Sequence, residues 1–91
     1  MSLWAGPPPT IIGRTRTEFE MTQREAGKIV SVSERTWQDW ERGVAEMPVS
    51  AWELFLIRLG VLGVDKSRRP IPEWLATEAD RTVLRRVNGG G

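Results

Sequence analysis

Four polar side chains stand within six residues near the middle of this chain: Glu34, Arg35, Gln38 and Asp39. Together they offer a guanidinium fork, a carboxamide and two carboxylates, which suits them to hydrogen-bond recognition. Bond-making chemistry has less to work with. The chain contains no cysteine and no histidine, so thiol nucleophiles, imidazole acid–base catalysis and zinc binding through these ligands are excluded. Carboxylates and serines remain, but no spacing pairs them for catalysis. Neither an enzyme nor a metal or cofactor site is expected.

Recognition requires an element that holds those four side chains outward. The block Met21 to Gly43 reads MTQREAGKIVSVSERTWQDWERG. Thr22 followed three residues later by Glu25 is a capping box, and it opens a helix running to about Val30. Ser31, Val32 and Ser33 form a short turn. Ser33 is a good N-cap for a helix from Glu34 to Arg42, and Gly43 stands where a left-handed closing residue belongs. Two helices joined by three to four residues match the helix-turn-helix geometry, in which the second helix enters the major groove. Close approach needs small residues in the first helix, and Ala26 and Gly27 supply them. Val32 must point inward from the turn. Trp37 and Trp40, three apart, reach one core, a reading preferred to base-stacking platforms. Glu34, Arg35, Gln38 and Asp39 are then free to read bases.

Other segments complete an all-α chain, a compact four- to five-helix bundle. Residues 1–9 are expected to form an extended arm, because consecutive prolines in the stretch Trp4 to Pro9 fix φ and remove donors. Thr10 is a plausible N-cap for a first helix ending near Glu20, with Ile11, Ile12, Thr15 and Phe19 on one face. Gly13 and two threonines weaken it. Val44 to Val49 is a loop. Pro48 and Ser50 mark a fourth helix, with Glu53 completing a second capping box. Trp52, Phe55, Leu56 and Leu59 follow the i, i+3, i+4, i+7 pattern, and Gly60 or Gly63 ends the helix. Residues 10–63 are thus expected to be the binding domain. A basic linker spans 64–72. Residues 73–91 hold a fifth helix, Glu73 to about Val87, with Trp74, Ala79, Val83, Leu84 and Val87 apolar, and then a glycine tail.

A chain of 91 residues with net charge +1 is weakly basic for a nucleic-acid binder. From Lys66 onward six bases (Lys66, Arg68, Arg69, Arg81, Arg85, Arg86) face three acids. That imbalance suits a solvated tail as well as a phosphate- or partner-facing segment. No run approaches the roughly 20 apolar residues of a membrane span. Met1 to Pro9 lacks the basic and apolar regions of a secretory signal. The expected compartment is the cytoplasm of a prokaryotic cell.

The combination Met21-Thr22-Gln23, Val32-Ser33, Arg35-Thr36 and Trp40-Glu41-Arg42-Gly43 resembles the Xre/Cro-type helix-turn-helix family, which includes the lambdoid phage repressors and Cro proteins. The resemblance covers roughly Thr10 to Gly60. Gly27 replaces the usual alanine, and Ser31 replaces a glycine that often needs positive φ. The segment after Gly63 has no counterpart in the pattern.

The resemblance implies that Gln23 bonds a phosphate and that Glu34, Arg35 and Gln38 face base edges. Arg35 then suits guanine, Gln38 suits adenine, and Glu34 suits the cytosine amino group. Asp39 matches another base-facing position of some members. Ser33, Thr36, Lys28 and Arg42 are candidates for phosphate contact. Arg16 and Glu41 match a structural ion pair of similar repressors. Surface solvation is the bland reading of Gln23, Arg35 and the Arg16–Glu41 pair. The acids Glu34 and Asp39 also fit a device that weakens non-specific binding.

Such proteins usually dimerise to read two half-sites. Trp74, Leu75, Val83, Leu84 and Val87 are candidates for a homodimer interface, against the simpler reading that the last helix packs on its own domain. The leading expectation is a dimeric transcriptional repressor of a phage, plasmid or other mobile element that reads a palindromic operator in double-stranded DNA. An antitoxin-type autoregulator that binds a toxin through its tail is one alternative. A protein-interaction module that has lost DNA binding is another.

Overall fold

The computed structural model describes residues 6–62 and 70–89, with side chains as far as residue 83. Among these residues there are five helices and no strand: α1 (Pro9–Glu18), α2 (Gln23–Ile29), α3 (Glu34–Arg42), α4 (Val49–Arg58) and α5 (Glu73–Gly89). The chain is therefore all-α. None of the described helices is long and apolar enough to cross a membrane. Most of the expected basic linker, including Lys66, Arg68 and Arg69, lies outside the described residues.

Aromatic rings organise the core. Trp37, Trp52 and Phe55 are fully buried, and Trp40 nearly so. The Trp37 ring lies 4.8 Å from Phe55 and 5.7 Å, edge-on, from Trp40, while Trp52 is 6.1 Å from Phe55. Each buried ring removes roughly 150–250 Å² from water, worth about 4–6 kcal/mol before entropy is charged against it. Ile12, Ala26, Met47, Leu56 and Leu75 fill the space around the rings.

Local chemistry sets most helix boundaries. At the start of α2, Thr22 accepts from the Glu25 amide at 3.1 Å, and Glu25 accepts from the Thr22 amide at 2.8 Å. This is the expected capping box, and it holds the Glu25 carboxyl below its ordinary range. Ser33 accepts from the Thr36 amide at 3.1 Å and so caps α3. The helices α1 to α4 close alike, through a left-handed residue: Glu20 (φ 55°), Ser31 (φ 61°), Gly43 (φ 76°) and Gly60 (φ 79°). In each case the following amide reaches back to a carbonyl five residues earlier, as Val32 N–H does to Gly27 at 2.9 Å and Val61 N–H to Leu56 at 2.9 Å.

Three expectations are corrected. Pro9 belongs to α1, not to an extended arm, and Pro8 rather than Thr10 is the N-cap. Proline at the first helical position loses only an amide that would be unpaired anyway. Likewise α4 begins at Val49, with Pro48 as N-cap and no side-chain cap. The Pro48 carbonyl accepts from Trp52 N–H at 3.1 Å, so the helix starts a residue before Ser50 and the second capping box does not form.

The third concerns α5. Its buried stripe is Leu75, Ala79 and Thr82, and Val83 faces outward at 41% exposure. Leu75 is wholly buried in this chain's own core, which removes it from any surface that a second copy could touch. Trp74 is half-buried beneath the Arg14 guanidinium, 4.1 Å from the ring centroid, linking α5 to α1. The side chains of Leu84 and Val87 lie outside the described residues.

Candidate nucleic-acid interface

The pair α2 and α3 carries the polar face. Gly27 allows their close approach, since a Cβ there would stand 3.0 Å from the Val32 carbonyl oxygen and 3.2 Å from that of Ser33. On α3 the sides divide cleanly. Trp37 and Trp40 turn into the core, whereas Glu34, Arg35 and Arg42 are exposed and Gln38 and Asp39 half-buried. The expected core role of both tryptophans is what the structure has.

Arg35 and Asp39 form a pair, with Nε 3.3 Å from Oδ1 one turn away. Asp39 therefore restrains a guanidinium that is three-quarters exposed, and it partly offsets that charge on the outer face. Ser33 and Thr36 are engaged with each other: beyond the cap, the Ser33 hydroxyl donates to the Thr36 hydroxyl at 3.1 Å. Lys28 is exposed on α2.

Beneath this face lies a hydrogen-bonded ion pair. Arg16 donates through Nε to Glu41 Oε2 at 2.6 Å and through Nη2 to Oε1 at 3.1 Å. Its Nη1 donates to the Met21 carbonyl at 2.9 Å, tying α1 to the segment that enters α2. Side-chain exposures of 18% and 11% mark the pair as largely buried. The Trp37 indole N–H also donates to Glu41 Oε2, and Gln23 Nε2 donates to Oε1 at 3.2 Å. Burial alone would push the Glu41 carboxyl up, but the bonds from Arg16, Trp37 and Gln23, with the Arg16 charge, hold it below the ordinary glutamate range.

Gln23 reaches further. Its Oε1 accepts from Gln38 Nε2 at 3.2 Å, so the first residue of α2 touches the outward glutamine of α3. These bonds engage its carbonyl and one of its two amide hydrogens.

Two contributors escaped the sequence. Gly13 gives the Glu41 carboxylate its room, because a Cβ there would lie 3.1 Å from Oε1. A glycine inside a helix is itself the available signal, since it costs about 1 kcal/mol without such a reason. Arg58, at the end of α4, donates to the Ile29 carbonyl at 2.9 Å and so steadies the end of α2. Nothing in its spacing announced that bond.

The chain is similar to the Type II methyltransferase M.MspI of Moraxella sp, with 44% identity over 39 residues. Those residues are 43% of this chain and 9% of the methyltransferase, so the chain matches less than a tenth of that relative's length. No family model and no solved structure matches the chain.

Proposed function

We propose that this chain is a sequence-specific double-stranded DNA-binding protein of the Xre/Cro helix-turn-helix type, with α3 as the element that enters the major groove. The observation that supports it best is the division of α3: two buried tryptophans lock the helix to the body, while Arg35 and Gln38 face outward from it. A guanidinium and a carboxamide so fixed suit guanine and adenine edges. Gln23, Lys28 and Arg42, with Ser33 and Thr36 at the start of α3, suit the flanking phosphates. In this reading the chain is a repressor rather than an enzyme, works in the cytoplasm of a prokaryotic cell, and belongs to a phage, plasmid or other mobile element. It acts as a homodimer on a palindromic operator, because one such module covers a single half-site. Val83 on the outer face of α5 is a candidate for that contact. The match to a methyltransferase covers too little of that protein to bring its activity here.

Selection from a random DNA library, followed by gel shift, tests the reading. The expected result is one enriched half-site, bound at least tenfold more weakly by Arg35→Ala or Gln38→Ala. Affinity is expected to fall steeply with salt, as phosphate contacts require. A folded protein that enriches no sequence overturns the reading.

A further inference from the structure

The four side chains Arg16, Glu41, Gln23 and Gln38 form one continuous relay from the buried ion pair to the outer face of α3. Each link constrains the next. A carboxylate accepts hydrogen bonds and cannot donate them. Glu41 therefore forces Gln23 to turn its amide nitrogen inward, at 3.2 Å. The Gln23 carbonyl is left facing Gln38, and it can only accept. Gln38 must then turn its own amide nitrogen to Gln23, again at 3.2 Å. What remains outward on Gln38 is one N–H and one carbonyl in a fixed order.

We propose that Glu41 is a positioning residue for base choice: its carboxylate, acting through Gln23, sets the amide orientation of Gln38 so that the chain accepts adenine and rejects guanine at that step. The inference rests on the DNA-binding reading of α3. Adenine presents an acceptor at N7 beside a donor at N6, which one N–H and one carbonyl satisfy together. Guanine presents two acceptors, N7 and O6. A glutamine free to turn could aim its amide nitrogen at both. With that nitrogen already held by Gln23, the Gln38 carbonyl faces a second acceptor and guanine is disfavoured. The ion pair at the other end keeps the first link from reversing, because Arg16 and Trp37 already donate to the same carboxylate.

The variant Gln23→Met removes the relay and leaves the Arg16–Glu41 pair intact. Two measurements read it. The first needs no DNA: nitrogen-resolved NMR of the glutamine side-chain amides. In the natural chain the Gln38 amide hydrogen bonded to Gln23 should be shifted from its free-glutamine position and protected from exchange, and in Gln23→Met both hydrogens should take free-glutamine values. The second is the base preference from library selection. The adenine-over-guanine ratio at one position should fall roughly tenfold in Gln23→Met, with a smaller drop in overall affinity. Glu41→Gln should lower the same ratio if it folds. Unchanged Gln38 amide signals in Gln23→Met overturn the relay itself. An unchanged base ratio, with amide signals that do move, overturns its role in recognition. A natural chain that selects no sequence overturns the DNA-binding reading, and the base preference with it, whatever the amide signals show.

Discussion

Inside the core the Trp52 indole N–H donates to the Thr82 hydroxyl at 3.0 Å, and that hydroxyl donates in turn to the Glu78 carbonyl at 2.8 Å. One buried threonine thus satisfies the indole of α4 and joins it to α5. Thr82→Val keeps the shape and leaves the indole N–H unpaired, which should cost about 1–2 kcal/mol in urea denaturation. Ending the chain at Pro70 removes Leu75 and Ala79 as well. That truncation is expected to lose about 3 kcal/mol or more, and with it most of the cooperative transition. A truncated chain that melts like the full one would mean α5 adds nothing to this core.

Acid should weaken the fold through Glu41. Its carboxyl is held below the ordinary range in the folded chain, so the ionised form favours folding. This contribution is complete above the unfolded pKa and is lost as pH falls through the lowered folded value. Glu41→Gln should cost about 2 kcal/mol at neutral pH, the pair being largely but not wholly buried. The gap between variant and natural chain should then close on acidification. Two parallel stability curves from neutrality down to pH about 2 would remove the ion pair from the account.

At Gly27 packing overrules propensity. Alanine is the better helix former by about 1 kcal/mol, and it is the residue the family resemblance leads one to expect. Its Cβ would press on two backbone carbonyl oxygens at 3.0 and 3.2 Å, atoms that cannot swing aside. Overpacking of this kind costs about 1–3 kcal/mol. Gly27→Ala should therefore destabilise by about 1 kcal/mol net, read as a thermal midpoint several degrees lower.

Ser31 offers the opposite change. It sits at φ 61°, where a side chain costs about 1–2 kcal/mol and glycine has no such cost. Glycine gives part of that back as extra freedom in the unfolded chain. Ser31→Gly should raise stability by about 1 kcal/mol and leave the turn between α2 and α3 unchanged. A drop in stability would show that the serine side chain makes a contact worth more than the strain.

The elements whose causes lie within a few residues were legible without any structure. Thr22 with Glu25, Ser33 with the Thr36 amide, and Gly43 after Arg42 each act across one turn, and each does what its spacing foretold. The division of α3 was legible too, because Trp37 and Trp40 are too large and apolar to stay in water. Arg16 and Glu41 were paired through the resemblance, and they are indeed bonded.

Where several placements satisfy the same local rule, packing decided. Ser50 and Glu53 have the spacing of a capping box, but α4 starts at Val49, where the Pro48 carbonyl accepts from Trp52 N–H at 3.1 Å. On α5 both Val83 and Thr82 fit a helical stripe, and the buried one is the threonine, which accepts from the Trp52 indole. Gln23 was read as a phosphate ligand from its place in the motif, yet its bonds to Glu41 and Gln38 join residues 18 and 15 positions away. Composition and periodicity determined that this chain is helical and which faces are apolar, since those depend on neighbours along the chain. Which polar groups meet depends on how helices dock, because a buried donor takes whichever acceptor the packed core brings within about 3 Å.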